Sequence, residues 1–419
     1  MSDTDKTLAL ILVSIILLSL FPVAGYLVIL LLLSHLIRRN KFGEIFETLK
    51  SDLGLIFLLS SFGLSTLFTD HHLSSLAGFS VFLLQVLLYL IIRSYIKDQA
   101  QNFSIIRYLL FTSLIVSTIG IVQYYFASHM PPNWVDQHLY NNIPNRAFST
   151  LYNPNVLGSY LIMVISIAMS GFQSSDKKYG RVVNSVILVA AYLCMLLTFS
   201  RGAWLGLAIS VLIIFVFSKE KPYILAIMGI TFMLAIPQIS IIMNRINIGI
   251  LADDSSNTYR HYLWTLAIKI FKENPVFGTG ISTFGFSLPS HSNAVGYLVS
   301  HAHNIYLNVL AETGLLGFIA FFGYIGIAMY VSFKLFRQSR CRQTRNLSLG
   351  VMASFVGLLV HGNFDATLYL PQLSIFVWII AAVARNLGDL EYVPKPAFSK
   401  LALTVKPFIS RILLHINHR

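Results

Sequence analysis

Three arginines in this sequence could bind an anion at a membrane boundary. Arg201 lies between two apolar runs, in the segment TFSRGAW at 198–204, with no loop long enough to carry it clear of a membrane. A charge at that depth costs about 2.5–3.5 kcal/mol on insertion scales and marks a functional-site candidate, although an arginine that reaches lipid headgroups is the alternative. Arg146 and Arg260 lie on the same side of the apolar runs. Because guanidinium groups bind phosphate oxygens in pairs and stay charged, the three arginines predict an anion site.

Two histidines could supply a general base. His301 and His303 lie where a long polar segment meets the next apolar run, and a neutral imidazole, with a pKa of about 6.5, accepts protons near neutral pH. By composition alone, two interfacial histidines without a chemical role explain the pattern at least as well. A zinc site is less favoured, because residues two apart on a helix point about 200° away from each other. We expect no metal and no cofactor, since no Walker loop, dinucleotide fingerprint or outer Asp-x-Asp is present.

The composition indicates which elements must position these residues. Of 419 residues, 56% are hydrophobic and 11% are charged, against about 25% charged residues in an ordinary soluble domain. These values exclude a soluble enzyme, a disordered protein and a repeat solenoid, and runs that are apolar throughout exclude a β-barrel. The predicted fold class is all-α, a polytopic transmembrane bundle of about twelve helices, with eleven as the alternative. The run 7–37 would be about 46 Å long as one helix against roughly 30 Å of hydrocarbon, so we expect two helices that turn near Phe21 and Pro22.

The distribution of charge predicts the orientation of the bundle. The net charge is +13, and in a membrane protein lysine and arginine collect in cytoplasmic loops, so nucleic acid is not an expected partner. With the loop at 38–52 inside, the predicted inner loops hold 23 of the 30 Lys and Arg residues and the outer loops hold 6. We therefore expect the amino terminus inside.

One long outer loop interrupts the predicted bundle, which we take as a single domain over 1–386. The loop spans 244–303, and its segment 257–273 has the apolar spacing of an amphipathic helix. Asp253 and Asp254 are expected at the cap of that helix. Residues 387–419 form a basic cytoplasmic tail, either solvated or lying on the inner membrane surface as an amphipathic helix.

Five segments, taken in order, resemble the O-antigen ligase and O-antigen polymerase superfamily. They are RAFSTLYNPN at 146–155, TFSRGAWLG at 198–206, Tyr259-Arg260, NPVFGTG at 274–280 and HAHNIYLNVLAETGLLG at 301–317. Each piece is weak alone, but their order and topology together are specific. The resemblance implies a bacterial inner-membrane enzyme, multi-pass, that faces the periplasm or exterior. Such an enzyme transfers a glycan from a polyprenyl (undecaprenyl) diphosphate carrier to an acceptor hydroxyl in cell-envelope polysaccharide or lipopolysaccharide biosynthesis.

Roles for the candidate residues follow from that resemblance. His303 is expected to be the base, and Arg201 and Arg260 are expected to stabilise the departing diphosphate. A further set is expected to bind substrate: Arg146, His301, Asn304 and Tyr259. The expected partners are the lipid-linked glycan donor, a glycan or lipid-glycan acceptor and membrane lipid, and the resemblance does not separate ligase from polymerase. The rival hypothesis is a secondary transporter for an anion or sugar, which is less favoured because the sequence has no matching halves; a membrane scaffold would not need Arg201.

Overall fold

The chain is described by a computed structural model that covers residues 3–126, 145–172, 178–218, 221–243, 246, 255–291 and 299–391. Its described residues form helices and turns, with no strand among them. The first ten helices are α1 Asp3–Leu20, α2 Pro22–Arg38, α3 Phe42–Ser51, α4 Leu53–Leu67, α5 His72–Tyr95, α6 Gln99–Phe126, α7 Pro154–Phe172, α8 Lys178–Leu197, α9 Arg201–Phe217 and α10 Lys221–Ala235. Five more follow: α11 Ser255–Glu273, α12 Phe284–Ser287, α13 Ile305–Gln338, α14 Arg342–His361 and α15 Pro371–Leu390. Short 3-10 turns lie at Ser149–Leu151, Ile236–Gln238 and Thr367–Tyr369.

Six of these helices are long and apolar enough to cross a membrane: α5, α6, α7, α8, α13 and α15. The bent pair α2 and α3 would make a seventh span. The predicted count of about twelve is therefore not established. Four further apolar helices have only 15 to 17 residues, and 15 residues of helix extend about 22 Å, short of roughly 30 Å of hydrocarbon. The predicted break near Phe21 is confirmed, since α1 ends at Leu20 and α2 begins at Pro22.

Helix α7 lies at the centre of the bundle, almost wholly buried, and packs against α8, α9 and α14. Small residues let these helices approach closely. A Cβ added to Gly206 of α9 would lie 2.5 Å from the carbonyl oxygen of Gly357 in α14. Such contacts between small residues are the usual packing device of membrane helices, because apolar side chains gain little by leaving lipid. The close packing fixes α7, α9 and α14 relative to one another, and with them the segments at their ends.

Four basic segments of the described chain, at 38–52, 93–107, 334–346 and 385–391, meet at one end of the bundle, which we call the basic end. There Arg93 donates to Asp389 at 2.8 Å and Arg385 donates to Asp52 at 3.2 Å. The carboxylate of Asp52 also accepts the hydroxyl hydrogens of Tyr89 and Tyr324. These bonds join the start of α4 to the ends of α5 and α15. Helix α15 continues to Leu390, beyond residue 386, and the predicted tail from 392 onward lies outside the described residues.

The opposite end, which we call the site end, collects the starts of α5, α7, α9, α13 and α15. Direct hydrogen bonds join neighbouring segments at this end: Ala147 donates to the carbonyl of Leu197 at the end of α8, and Ile305 at the start of α13 donates to that of Gly362, just after α14. The long loop is also attached here. Its helix α11 confirms the predicted amphipathic helix, since Leu263, Leu266 and Ile270 are buried in a small core of their own. The predicted cap residues Asp253 and Asp254 lie outside the described residues.

Candidate active site

A histidine–aspartate cluster forms the centre of the site end. The Nδ1 atom of His303 and the Nε2 atom of His301 each lie 3.2 Å from the same carboxylate oxygen of Asp365. The two imidazole rings stand 4.4 Å apart between centroids. Asp365 lies in the short segment between α14 and the turn Thr367–Tyr369, and its carboxylate is buried while the side chain of His303 is 26% exposed. One carboxylate therefore orients both histidines, and of the two the more accessible is His303.

The electrostatics of the cluster favour an ionised aspartate. Burial alone would raise the pKa of Asp365, but His303 and the hydrogen bonds from both histidines hold it well below its usual range. Burial likewise opposes the charged form of His301, yet the hydrogen bond to Asp365 and its charge raise the pKa of His301 above its ordinary value. A carboxylate that stays charged at low pH and lies beside imidazole nitrogens fixes their tautomers.

Asn155, in the first turn of α7, connects the cluster to α9. Its Nδ2 donates to the second carboxylate oxygen of Asp365 at 2.5 Å. Its Oδ1 accepts from the hydroxyl of Ser200 at 2.8 Å and from Nη2 of Arg146 at 3.3 Å. The start of α7 is fixed in turn by Asn153, whose side chain accepts from the backbone N–H of Asn155 at 2.8 Å. The motif segments at 146–155 and 198–206 therefore meet on one amide side chain.

The three predicted arginines have different surroundings at the site end. Arg146 is buried, and its Nε donates to the carbonyl of Thr198 at 2.7 Å, so it holds the chain that leads into α9. Arg201 is the first residue of α9 and is partly exposed. The next residue, Gly202, lies against His361 and Phe364, since an added Cβ would stand 2.9 Å from an atom of each. The start of α9 therefore packs directly on the segment that carries Asp365.

Arg260 reaches the same region from the long loop. It lies in α11, is partly buried, and influences the imidazole of His361 electrostatically. His361 ends α14 and hydrogen-bonds the hydroxyl of Ser159 at 2.7 Å. Tyr259, the residue before Arg260, packs on the small core of the loop. The long loop thus brings a second cation toward the cluster.

A clamp on Glu312 fixes the long loop to the bundle. Glu312, in α13, is buried, and its two carboxylate oxygens accept the backbone N–H groups of Ser282 and Phe284, both at 2.9 Å. Its own carbonyl accepts from Gly280 at 2.8 Å. The loop lies so close to α13 that a Cβ on Gly278 would stand 2.3 Å from the backbone of Glu312. This contact explains why two motifs far apart in sequence, 274–280 and 311–317, are both rich in glycine.

Helix α13 bends where the clamp sits. Gly314 has φ 63° and ψ −168°, outside the helical region, and an added Cβ there would stand 2.3 Å from the carbonyl oxygen of Val276. Just beyond the bend, the N–H of Leu315 in α13 donates to the carbonyl of Pro275 in the long loop at 2.8 Å. Glycine is required here because it alone adopts such backbone angles without strain.

Several residues of the site end hold left-handed backbone angles that side chains disfavour. Among the described residues with positive φ are Ser149 at 52°, Phe199 at 49°, Ser282 at 59° and His303 at 49°. Each such residue costs of order 1–3 kcal/mol and persists where surrounding contacts fix it. Three of the four fall in the motif segments, and Ser282 lies two residues after the segment 274–280. The strain at His303 turns its imidazole toward Asp365 one residue before Asn304 caps α13.

The sequence identified some of these residues and missed others. Asn304, predicted to bind substrate, accepts the backbone N–H groups of Tyr306 and Leu307 and so starts α13. Asn155 and Asp365 were not among the predicted site residues. Asp365 is the single acidic residue in the predicted outer loop at 363–368, and the sequence offers it, with Glu312, only as a carboxylate to examine if neither histidine is the base. Asn155 gave no signal beyond its place in a motif.

The helix-geometry argument against a zinc site was wrong. His301 and His303 precede α13 and do not share a helix, and a carboxylate does accompany them. One ligand atom from each of His301, His303 and Asp365 lies within 4.8 Å of the others. Nitrogen and carboxylate ligands in that number suit a divalent metal with an open coordination position. The cluster could therefore bind a metal ion. Without a metal, its carboxylate would serve to orient the two imidazoles.

The chain has apolar spans and a long loop attached at one end of the bundle. At that end, arginines surround a histidine–aspartate cluster. These features are those of a membrane protein with an enzyme-like site. Residues 185–322 match the family model described as O-Antigen ligase. The match supports membership of this chain in the O-antigen ligase and polymerase superfamily of glycosyltransferases. It includes Arg201, Arg260 and both histidines, whereas Arg146, Asn155 and Asp365 fall outside it. No curated protein matches the sequence.

Proposed function

We propose that this protein is an inverting glycosyltransferase of the ligase or polymerase type. It transfers a glycan from a polyprenyl diphosphate carrier, undecaprenyl diphosphate in bacteria, to the hydroxyl of an acceptor sugar. The observation that carries the proposal is the hydrogen bond between Nδ1 of His303 and the buried carboxylate of Asp365, within a site end that also holds the starts of α7 and α9.

His303 is the proposed base. With Nδ1 donating to Asp365, the lone pair of a neutral imidazole lies on Nε2, where an acceptor hydroxyl can reach it, and a nearby carboxylate stabilises the imidazolium that forms. His301 bonds the same oxygen through Nε2 and is more buried, with 12% of its side chain exposed. These two differences favour His303 as the base and His301 as a supporting residue.

The arginines are proposed to stabilise the leaving group. In the reaction the acceptor oxygen forms a bond to the anomeric carbon from the face opposite the carrier. The bond from that carbon to the diphosphate breaks, its electron pair leaves with the diphosphate, and the hydroxyl proton passes to His303. Negative charge therefore grows on the diphosphate, where preorganised cations act most strongly. Arg201 and Arg260 are the proposed cations. Arg146 acts indirectly, by holding Asn155 in place.

The start of α9 supports an anion site beside Arg201. The cap residue Ser200 makes no side-chain hydrogen bond to the first turn of α9, because its hydroxyl donates to Asn155 instead. First-turn N–H groups have no partner within a helix, and together with the helix dipole they attract phosphate oxygens. A guanidinium on the same first residue adds a bidentate donor.

The orientation follows from the separation of charge between the two ends. Among the described residues, four of the predicted inner loops, at 38–52, 93–107, 334–346 and 385–391, contact one another at the basic end, and the candidate site lies at the other end. Lysine and arginine face the cytoplasm in membrane proteins. We therefore place the site at the outer face of the bacterial inner membrane.

The test is transfer by the purified protein between a lipid-linked glycan donor and an acceptor glycan. His303→Ala is expected to lose about 10²–10⁴-fold in rate, the usual contribution of a general base. His301→Ala should retain more activity, and the exposed His72 at the same end provides the control His72→Ala. A wild-type protein that binds donor but never transfers the glycan would refute the proposal, and His303→Ala at wild-type rate would move the base elsewhere.

A further inference from the structure

His361, the last residue of α14, is a buried histidine at the site end to which the proposed reaction assigns no role. The residue is 1% exposed, and its Nδ1 lies 2.7 Å from the hydroxyl oxygen of Ser159. No other side-chain hydrogen bond joins the imidazole to a described residue. Nor is Nε2 among the described side-chain atoms that are both unpaired and closed to solvent. One ring nitrogen is therefore used by the fold, and the other is open to a ligand.

The edge of the ring that carries Nε2 faces the first turn of α9. A Cβ added to Gly202, the second residue of that helix, would lie 2.9 Å from Cδ2 of His361, and Cδ2 is bonded to Nε2 within the ring. The absence of a side chain at Gly202 is what lets the imidazole lie against the helix. Nε2 and the first-turn N–H groups of α9, which have no partner within the helix, are therefore neighbours.

The charges around His361 favour a neutral imidazole beside an anion. Burial lowers the pKa of His361 to about 4, with a further contribution from the charge of Arg260, while Asp365 opposes both. The carboxylate of Asp365 is itself already bonded to the two histidines of the cluster. A neutral imidazole that lies near a guanidinium and a helix start can donate one N–H to a phosphate oxygen.

Ser159 can hold the ring in the tautomer that this bond requires. Its hydroxyl lies 2.6 Å from that of Thr367, so Ser159 can accept from Thr367 and donate to Nδ1, which leaves the ring proton on Nε2. Alternatively, Ser159 donates to the carbonyl of Asn155 at 3.2 Å and accepts from Nδ1. Because a hydroxyl serves in either direction, both tautomers are accessible, and an anion at Nε2 selects the first.

We propose that His361 donates from Nε2 to the diphosphate of the lipid-linked glycan, beside Arg260 and the first turn of α9. The inference rests on the proposed function and adds a residue to the diphosphate site. A sugar hydroxyl is the other group that a ring N–H can bind, but a neutral hydroxyl would gain little from the guanidinium and the helix start. Since charge on the diphosphate grows as the glycan leaves, the bond strengthens during the reaction.

Two substitutions separate the two ring nitrogens. His361→Asn places its amide near Nδ1, so it keeps an acceptor for Ser159 but has no donor near Nε2. His361→Gln is one methylene longer and places its amide near Nε2, so it keeps the donor and loses the bond to Ser159. In His361→Asn, kcat/KM for the lipid-linked glycan should fall about 10–100-fold, the usual effect of losing a hydrogen bond to a charged group. The loss in His361→Gln should be smaller.

Thermal unfolding should rank the two variants in the opposite order, which a purely structural role would not do. His361→Gln loses the buried bond to Ser159 and should melt below His361→Asn, although it transfers glycan faster. If the more stable variant is also the more active one, or if both variants transfer at the wild-type rate, the inference is wrong.

Binding of inorganic pyrophosphate, measured by calorimetry on the purified protein, decides the inference even if neither histidine variant folds. Ser159→Ala leaves the imidazole without the bond that holds it and should weaken this binding about 2–10-fold, the usual effect of a neutral hydrogen bond. Ser166→Ala is the control, because Ser166 is a buried serine of α7 that bonds within its own helix. Equal affinity of Ser159→Ala and the wild type, or no binding by the wild type, overturns the inference. A wild type that binds pyrophosphate but transfers no glycan would instead refute the proposed function, and the affinities would still decide the role of His361.

Discussion

Replacement of Asp365 by asparagine tests the centre of the reasoning. The carboxylate accepts from His301 and His303 at 3.2 Å on one oxygen and from Asn155 at 2.5 Å on the other. Asparagine has nearly the same shape but carries one acceptor and one donor. In Asp365→Asn the amide nitrogen must face either the two histidines or the amide nitrogen of Asn155. On that side of the residue a donor then meets a donor, and the hydrogen bond is lost.

The magnitude follows from the tautomer of His303. If the new amide donates to Nδ1, the imidazole proton moves to Nε2 and no lone pair faces the acceptor hydroxyl. We expect kcat to fall about 10²–10⁴-fold, which corresponds to roughly 3–5 kcal/mol of transition-state stabilisation. Each hydrogen bond to a charged group that is lost also lowers the free energy of unfolding by about 1.5–3 kcal/mol.

The pH dependence of stability gives a readout that does not depend on activity. Because Asp365 raises the pKa of His301 above its unfolded value of about 6.5, the stability from this pair is full below that pH. It is lost as pH rises through the folded pKa. The wild type should therefore lose thermal stability as pH rises from about 6.5, and Asp365→Asn should show a flatter profile.

The assays are glycan transfer and thermal unfolding of the detergent-purified protein. Asp70→Asn serves as the matched control, since Asp70 lies at the site end and is exposed. Wild-type kcat in Asp365→Asn, together with an unchanged pH profile of stability, would show that the carboxylate does not set the state of either histidine.

Four further outcomes are expected. Arg201→Lys should lose nearly as much transfer as Arg201→Ala, because lysine keeps the charge without the two-pronged geometry; normal transfer would instead indicate an arginine that only reaches headgroups. Glu312→Gln should lower the free energy of unfolding by about 1–3 kcal/mol, since one of two buried backbone donors is left facing an amide nitrogen, whereas Glu44→Gln on the exposed side of α3 should not; equal melting temperatures would refute the clamp. In a background without Cys194 and Cys341, an impermeant reagent should label Ser290→Cys from outside but not Gln338→Cys, and the reverse would invert the orientation. Transfer should survive a strong chelator, and abolition that zinc restores would indicate a metal held by His301, His303 and Asp365.

The sequence by itself determined the helical membrane class and most of the candidate residues. A long apolar run predicts a membrane helix without knowledge of its neighbours, because a helix in lipid forms all its backbone hydrogen bonds within itself. The break near Phe21 and the amphipathic helix α11 follow from the local pattern of apolar residues, and the cost of a charge at membrane depth is what made Arg201 a candidate. The family motifs gave the order of the segments along the chain but not their contacts.

Only the tertiary structure decided which segments meet. Asp365 lies 62 residues beyond His303 in sequence, and Asn155 lies 210 residues before Asp365, so no local pattern connects them. Whether His301 and His303 diverge or converge also depended on backbone angles, since a left-handed φ at His303 replaced the helix that the spacing argument assumed.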